Sequence, residues 1–180
     1  MNSQPMFSFF RAPISNLTPE KTVTLKEVHG YITGPRAMAT TEEFRKLDIQ
    51  PQRRAFKAAS FDYITPSGIF SRRGRGNLLQ HSGLICIDFD HIGDVEALFA
   101  RLLEDEYFET ELLFRSPSGH GLKWIIPIDL DRASHEEYFA SIAVYCRLTY
   151  GIAPDRQCRD ISRACFLPCD PGAYLNPQRL

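Results

Sequence analysis

A chain of 180 residues, 43% apolar and 24% charged, is sized for a single domain with its own core. That excludes general disorder, and no apolar run approaches the ~18 residues of a membrane span. The net charge of −1 is unevenly spread: residues 1–80 hold 12 Lys/Arg against 6 Asp/Glu, whereas residues 81–180 hold 9 against 16. A basic half beside an acidic half suggests a phosphate-rich partner and a carboxylate metal site in one molecule.

In chain order, the patch Phe7, Phe9, Phe10 predicts a short strand, followed by a turn at Pro13 and Pro19. Thr24-Leu-Lys-Glu27 has capping-box spacing and predicts a helix running to about Gly30 or Gly34. Thr41 to Leu47 reads as a second short helix stopped by Pro51, and Arg53 to Ser60 as a helical turn or a strand edge. Thr65-Pro-Ser-Gly68 is a turn signal, Ile69-Phe70 starts an extended segment, and Ser71 to Asn77 is a basic, glycine-loosened loop. Leu84 to Asp90 is short, apolar and β-branched, which predicts a buried strand. Asp94 to Tyr107 carries Val95, Leu98, Phe99, Leu102 and Leu103 at helical spacing. Strands are expected at Glu111–Arg115 and Leu122–Ile128, around the turn Ser116-Pro-Ser-Gly119. A helix opens at Ser134 and ends at Gly151, and Arg163–Leu167 is a last short strand. The mixture predicts an α+β fold with a mixed or antiparallel sheet packed by helices.

Four groups of residues could carry chemistry. Asp88-Phe-Asp90 ends the buried strand with two carboxylates spaced to share one face. Such a pair repels itself unless a cation intervenes, and Mg²⁺ or Mn²⁺ suits one or two carboxylates plus substrate phosphates. The turn Ser116-Pro-Ser-Gly-His-Gly-Leu-Lys123 offers the hydroxyls of Ser116 and Ser118, backbone amides, His120 and the point charge of Lys123 to a phosphate, although a plain hairpin turn explains it as well. Asp155 to Arg163 supplies a third carboxylate, Asp155 or Asp160, and in Arg163 a fork for a triphosphate. Arg53, Arg54, Lys57, Arg72, Arg73 and Arg75, interleaved with aromatics, form a candidate path for single-stranded nucleic acid, or a solvated face. Five cysteines with no C-x-x-C fit a reducing cytoplasm, and no secretory signal is expected. Cys158, Cys165 and Cys169 lack the paired spacing of structural zinc and read as small half-buried residues.

The order of these groups resembles the archaeo-eukaryotic primase superfamily, the primase–polymerases. More narrowly, Ser82–Asp90, Ser116–Lys123 and Ser162-Arg-Ala-Cys-Phe-Leu-Pro-Cys-Asp170 resemble the virulence-associated-protein-E-like N-terminal domain family of bacterial mobile elements. The resemblance covers roughly residues 50–176. It implies that Asp88, Asp90 and Asp155 (or Asp160) are metal ligands, that Ser118 contacts nucleotide phosphate, and that Arg163 binds the triphosphate. Lys123 fills the slot where the superfamily has His; with an ordinary pKa of about 10.4 it holds phosphate but shuttles protons poorly at neutral pH. The implied architecture is a catalytic core over residues 76–180 beside a small N-terminal α/β subdomain over residues 1–75, together one compact unit and a possible fragment of a longer protein.

The expected function is metal-dependent nucleotidyl transfer from nucleoside triphosphates onto single-stranded DNA or a template–primer, with a helicase as a partner in cis or trans. The alternative is a catalytically decayed module that binds single-stranded DNA or an origin. A metal-dependent nuclease using the same carboxylates is a third reading.

Overall fold

The computed structural model describes residues 4–179. Among the described residues the fold is α+β: five α-helices and antiparallel sheets. β1 (Met6–Phe10) and β2 (Lys21–Thr24) pair antiparallel, and the chain then enters α1 (Leu25–Thr33). The capping box is present: Thr24 Oγ1 accepts from Glu27 N–H, and the Glu27 carboxylate accepts from Thr24 N–H. α2 (Met38–Arg45) and α3 (Gln50–Ser60) follow. Pro51 does not act as a stop. It sits in the first turn of α3, where its missing N–H has no intrahelical partner to lose, and Arg53–Ser60 is the body of that helix.

β3 (Tyr63–Thr65), the turn at Pro66-Ser67 and β4 (Gly68–Phe70) lead through the basic loop into β5 (Leu78–His81). Gly68 has φ +153°, and a Cβ there would lie 2.1 Å from the Gln80 carbonyl oxygen, so the β4–β5 pairing requires glycine. β6 (Leu84–Phe89), α4 (Val95–Leu103), β7 (Leu112–Arg115), β8 (Leu122–Pro127) and α5 (His135–Tyr150) carry the second half. α4 stops well before Tyr107. The Asp105 carboxylate captures the amides of Tyr107 and Phe108 and the hydroxyls of Tyr145 and Tyr150, which fixes a turn in place of another helical turn. Only Cys165–Phe166 of the expected last strand pairs, as β9; β10 (Tyr174–Leu175) follows it.

Two four-stranded sheets result, in the orders β2-β1-β3-β9 and β10-β7-β8-β6. β9 arrives from the far end of the chain to complete the N-terminal sheet, so the two halves share one interior. Alternation along β6 sorts its side chains by layer. Ile85, Ile87 and Phe89 pack with Trp124, Leu98, Leu102, Phe139 and Ile142 under α4 and α5. Leu84 and Cys86 face the other sheet, with Phe7, Phe9, Ile64 and Cys165. The inter-sheet layer is where the candidate site opens. No helix among the described residues is long and apolar enough to cross a membrane.

Candidate functional site

Asp88 continues the Leu84, Cys86 alternation and so enters the layer between the sheets. Its register partner across β6 and β8 is Lys123, whose Nζ lies 2.5 Å from Asp88 Oδ2. Both side chains are nearly buried, at 9% and 7% exposure. Burial works against the Lys123 ammonium, but the Asp88 carboxylate outweighs it and holds the group charged, above its ordinary range. The second Asp88 oxygen, Oδ1, is buried and has no hydrogen-bond partner.

Asp155 reaches this carboxylate because its backbone N–H donates to the Asp88 carbonyl at 2.8 Å. One ligand atom each of Asp88, Asp155 and Cys158 lies within 4.8 Å of the others. Burial and the Asp88 charge push the Cys158 thiol up to about 12, so it stays protonated at neutral pH. Arg163 Nη2 donates to Asp155 Oδ2 at 2.9 Å, while its buried Nε–H has no partner. Asp88, Lys123, Asp160 and Arg163 line one small cavity of about 10 Å³, room for roughly one water. Thus two residues that line the same void, Asp88 and Arg163, each keep a buried polar atom without a partner, the pattern expected where a ligand completes the hydrogen bonding.

Lys57, on α3, does not line this cavity but is near enough to feel its charges. Burial and the Lys123 charge push its ammonium below the ordinary range, while the Asp90 and Asp88 carboxylates act in the opposite sense. Asp90 itself lies one residue past β6 and is exposed; it neither lines the cavity nor joins the Asp88, Asp155 and Cys158 group. Asp160 is close but occupied: its Oδ1 accepts from Ser162 N–H and Oγ, both at 3.0 Å, and from Arg75 Nε at 3.1 Å. Burial opposes the Asp160 charge, and these donors outweigh it and hold the carboxyl below its usual range. Geometry therefore brings Asp155, not Asp160, into the cluster with Asp88.

Ser116, Ser118 and His120 sit in the β7–β8 hairpin beside this cavity and do not line it. The two hydroxyls are 3.1 Å apart, Ser118 Oγ accepts from His120 N–H, and His120 is exposed. The hairpin is held against the end of β6 at Gly121, where a Cβ would stand 2.3 Å from the Phe89 carbonyl oxygen and 3.4 Å from Asp90 Cα. Of the basic group, Arg53 lies over the Phe44 ring at 4.4 Å and donates to the Leu47 carbonyl, closing the end of α2. Arg73 covers Tyr63 and donates to the Ile14 carbonyl; Arg75 bridges Glu136 and Asp160. Arg54 and Arg72 are exposed. These side chains do not line up as one continuous free path. Of the three C-terminal cysteines, Cys158 and Cys165 line the same small cavity with Cys86, and Cys169 lies apart, against the Gly34 carbonyl.

A histidine relay braces the floor of the site. Gly83 N–H donates to His81 Nδ1, so neutral His81 carries its proton on Nε2 and presents it to His135 Nδ1 at 3.3 Å. His135 Nε2 then donates to the Cys158 carbonyl at 3.4 Å. Burial, with His135 nearby, pushes His81 down to about 4, and burial also lowers His135. The unfolded chain therefore binds protons that the folded one resists. The relay's stabilisation is complete above an unfolded histidine pKa of about 6.5 and is lost as pH falls from there to about 4. Denaturant midpoints across pH 7.5 to 4.5 should show a steeper acid loss for wild type than for His81→Asn; parallel curves would remove the relay from the account.

Comparison with known proteins adds one match. A family model described as BT4734-like, N-terminal domain, covers residues 56–175, two thirds of the chain. No curated protein and no solved structure matches. The matched stretch begins in α3 one residue before Lys57 and takes in Asp88, Lys123, Asp155 and Arg163, so the whole cluster falls within it. The chain belongs to the BT4734-like N-terminal domain family.

Proposed function

We propose that this domain binds nucleoside triphosphates and performs metal-dependent nucleotidyl transfer of the primase–polymerase type, acting on single-stranded DNA or a template–primer. The observation that carries the reading is the pair of orphaned buried atoms, Asp88 Oδ1 and Arg163 Nε–H. An acceptor of that kind suits a hard cation, and a donor of that kind suits a phosphate oxygen. The donor set fits Mg²⁺ or Mn²⁺: Asp88 and Asp155 would hold the ion, with Asp90 as a further carboxylate just past the end of β6. Such an ion supplies charge neutralisation and lowers the pKa of a coordinated hydroxyl. Arg163, Lys123 and Lys57 would offer positive charge to a triphosphate, and Ser118 a hydroxyl from the hairpin. Their work is positioning and electrostatic stabilisation.

One observation favours a second reading. Lys123 Nζ already neutralises Asp88 at 2.5 Å, standing where a cation would otherwise be needed. A domain that keeps this pair closed would bind nucleotide or single-stranded DNA without turnover, as a recognition module for a helicase partner.

Thermal stabilisation and calorimetry with dNTPs and NTPs, with and without Mn²⁺, separate the two. At 100 times the dissociation constant a ligand should stabilise the wild type by about 2.7 kcal/mol. The transferase reading expects this to require Mn²⁺, to vanish in Asp88→Asn, and to accompany primer extension. Metal-independent binding that survives Asp88→Asn, with no extension, selects the recognition module.

A further inference from the structure

Beside the cavity that holds Asp88 and Lys123, and sharing Arg163 and Asp160 with it, runs an open groove of about 780 Å³. α5 forms one wall, and the 3₁₀ helix Arg156–Arg159 forms the other. Five arginines line it against a single acid, Asp160, which is already engaged by Arg75 and Ser162. Arg75 and Arg163 have carboxylate partners. Arg147, Arg156 and Arg159 are exposed and, among the described residues, make no ion pair. The floor between them is built of small or flat apolar residues, including Ala143, Ala153 and Pro154.

Three unpaired guanidiniums converging on one concavity repel one another, and a helix dipole accounts for only Arg147, in the last turn of α5. We infer that this groove seats the backbone of a single-stranded nucleic acid and leads it to the Asp88–Lys123 cavity. The cations would neutralise successive phosphates, while the planar guanidiniums and apolar floor receive the bases without reading sequence. The choice of nucleic acid among polyanions rests on the function proposed above; the charge and shape of the groove do not. The surface is distinct from the basic run at residues 53–75, of which Arg75 alone lines this groove.

The test is fluorescence anisotropy of a labelled oligothymidylate over a range of NaCl concentrations. Losing three phosphate contacts should lower the slope of log K against log salt by about 2. Arg147→Ala/Arg156→Ala/Arg159→Ala should then bind about 100-fold more weakly at 0.1 M salt, the factor that such a slope change implies. The corresponding triple Lys variant should keep the wild-type slope, which separates charge from misfolding. Stabilisation by nucleoside triphosphate with Mn²⁺ should be unchanged in the Ala variant. A wild type that does not bind the oligonucleotide, or prefers duplex DNA or anionic vesicles to it, overturns the inference. So does an Ala variant with undiminished affinity and slope. Failure of the nucleotide site alone would appear as absent triphosphate stabilisation with groove-dependent oligonucleotide binding intact.

Discussion

Lys123→Met should destabilise the domain by about 3–5 kcal/mol, the usual cost of breaking a buried ion pair from one side. Methionine fills much of the volume, so the loss is electrostatic. Asp88 would be left in a nearly buried site with Oδ2 newly unpartnered and Oδ1 already so. Asp88→Asn/Lys123→Met, which removes both charges, should recover most of the loss, because a buried pair confers little net stability over neutral groups of similar volume. Urea midpoints at pH 7 for the two singles and the double close the cycle, and additive costs would mean the 2.5 Å contact carries no coupling. Adding Mn²⁺ turns the same variant into a probe of function. If Mn²⁺ restores the Lys123→Met protein but leaves wild type unchanged, the ammonium occupies the cation's place and the recognition-module reading gains. If Mn²⁺ stabilises both, Asp88 Oδ1 and Asp155 suffice with Lys123 present, as transferase chemistry needs.

How far the sequence reveals this site depends on the range of the interactions. Local signals carry well. The Thr24-x-x-Glu27 box, the Ser134 N-cap with Glu137, and Gly151 at φ +72° mark helix ends where the structure has them, because each is settled within one turn of chain. The buried strand through Asp88 is equally legible, since it is long enough to show its pattern. Strands β2, β3, β5 and β10 are two to four residues long and give no period to read. β9 pairs with β3 about a hundred residues earlier, and nothing local announces that. The site residues divide in the same way. Asp88 and Asp155 stand out as types, but their proximity follows from a backbone bond between a strand and a distant loop. That Lys123 faces Asp88 depends on β8 lying between β7 and β6, so that β6 pairs with the third strand of the run and not the second. Lys57 is read from sequence as part of an outer basic path; only the packing of α3 beside β9 turns it inward, over Phe166.

Trp124, the next residue on β8, gives the complementary prediction, because the strand turns it to the opposite face. It is fully buried under α4 and α5, sits 5.8 Å edge-on from Phe108, and donates Nε1–H to Thr110 Oγ1 at 2.7 Å. Trp124→Ala should cost about 3–5 kcal/mol through the lost apolar burial and the cavity left behind, a loss as large as that of Lys123→Met. The two should nevertheless differ in what they do to ligand binding. The stabilisation a ligand adds depends on its concentration relative to its dissociation constant and not on the starting stability. Trp124→Ala should therefore keep the full increment from nucleoside triphosphate and Mn²⁺ wherever it remains folded, while Lys123→Met changes it. The comparison is made by urea titration of both variants with and without ligand. Equal loss of the increment in both would mean that the helical layer sets the geometry of the inter-sheet layer through β8. Retention in Trp124→Ala alone would mean that the alternation of one strand suffices to keep the packing of the fold and the chemistry of the site on separate faces.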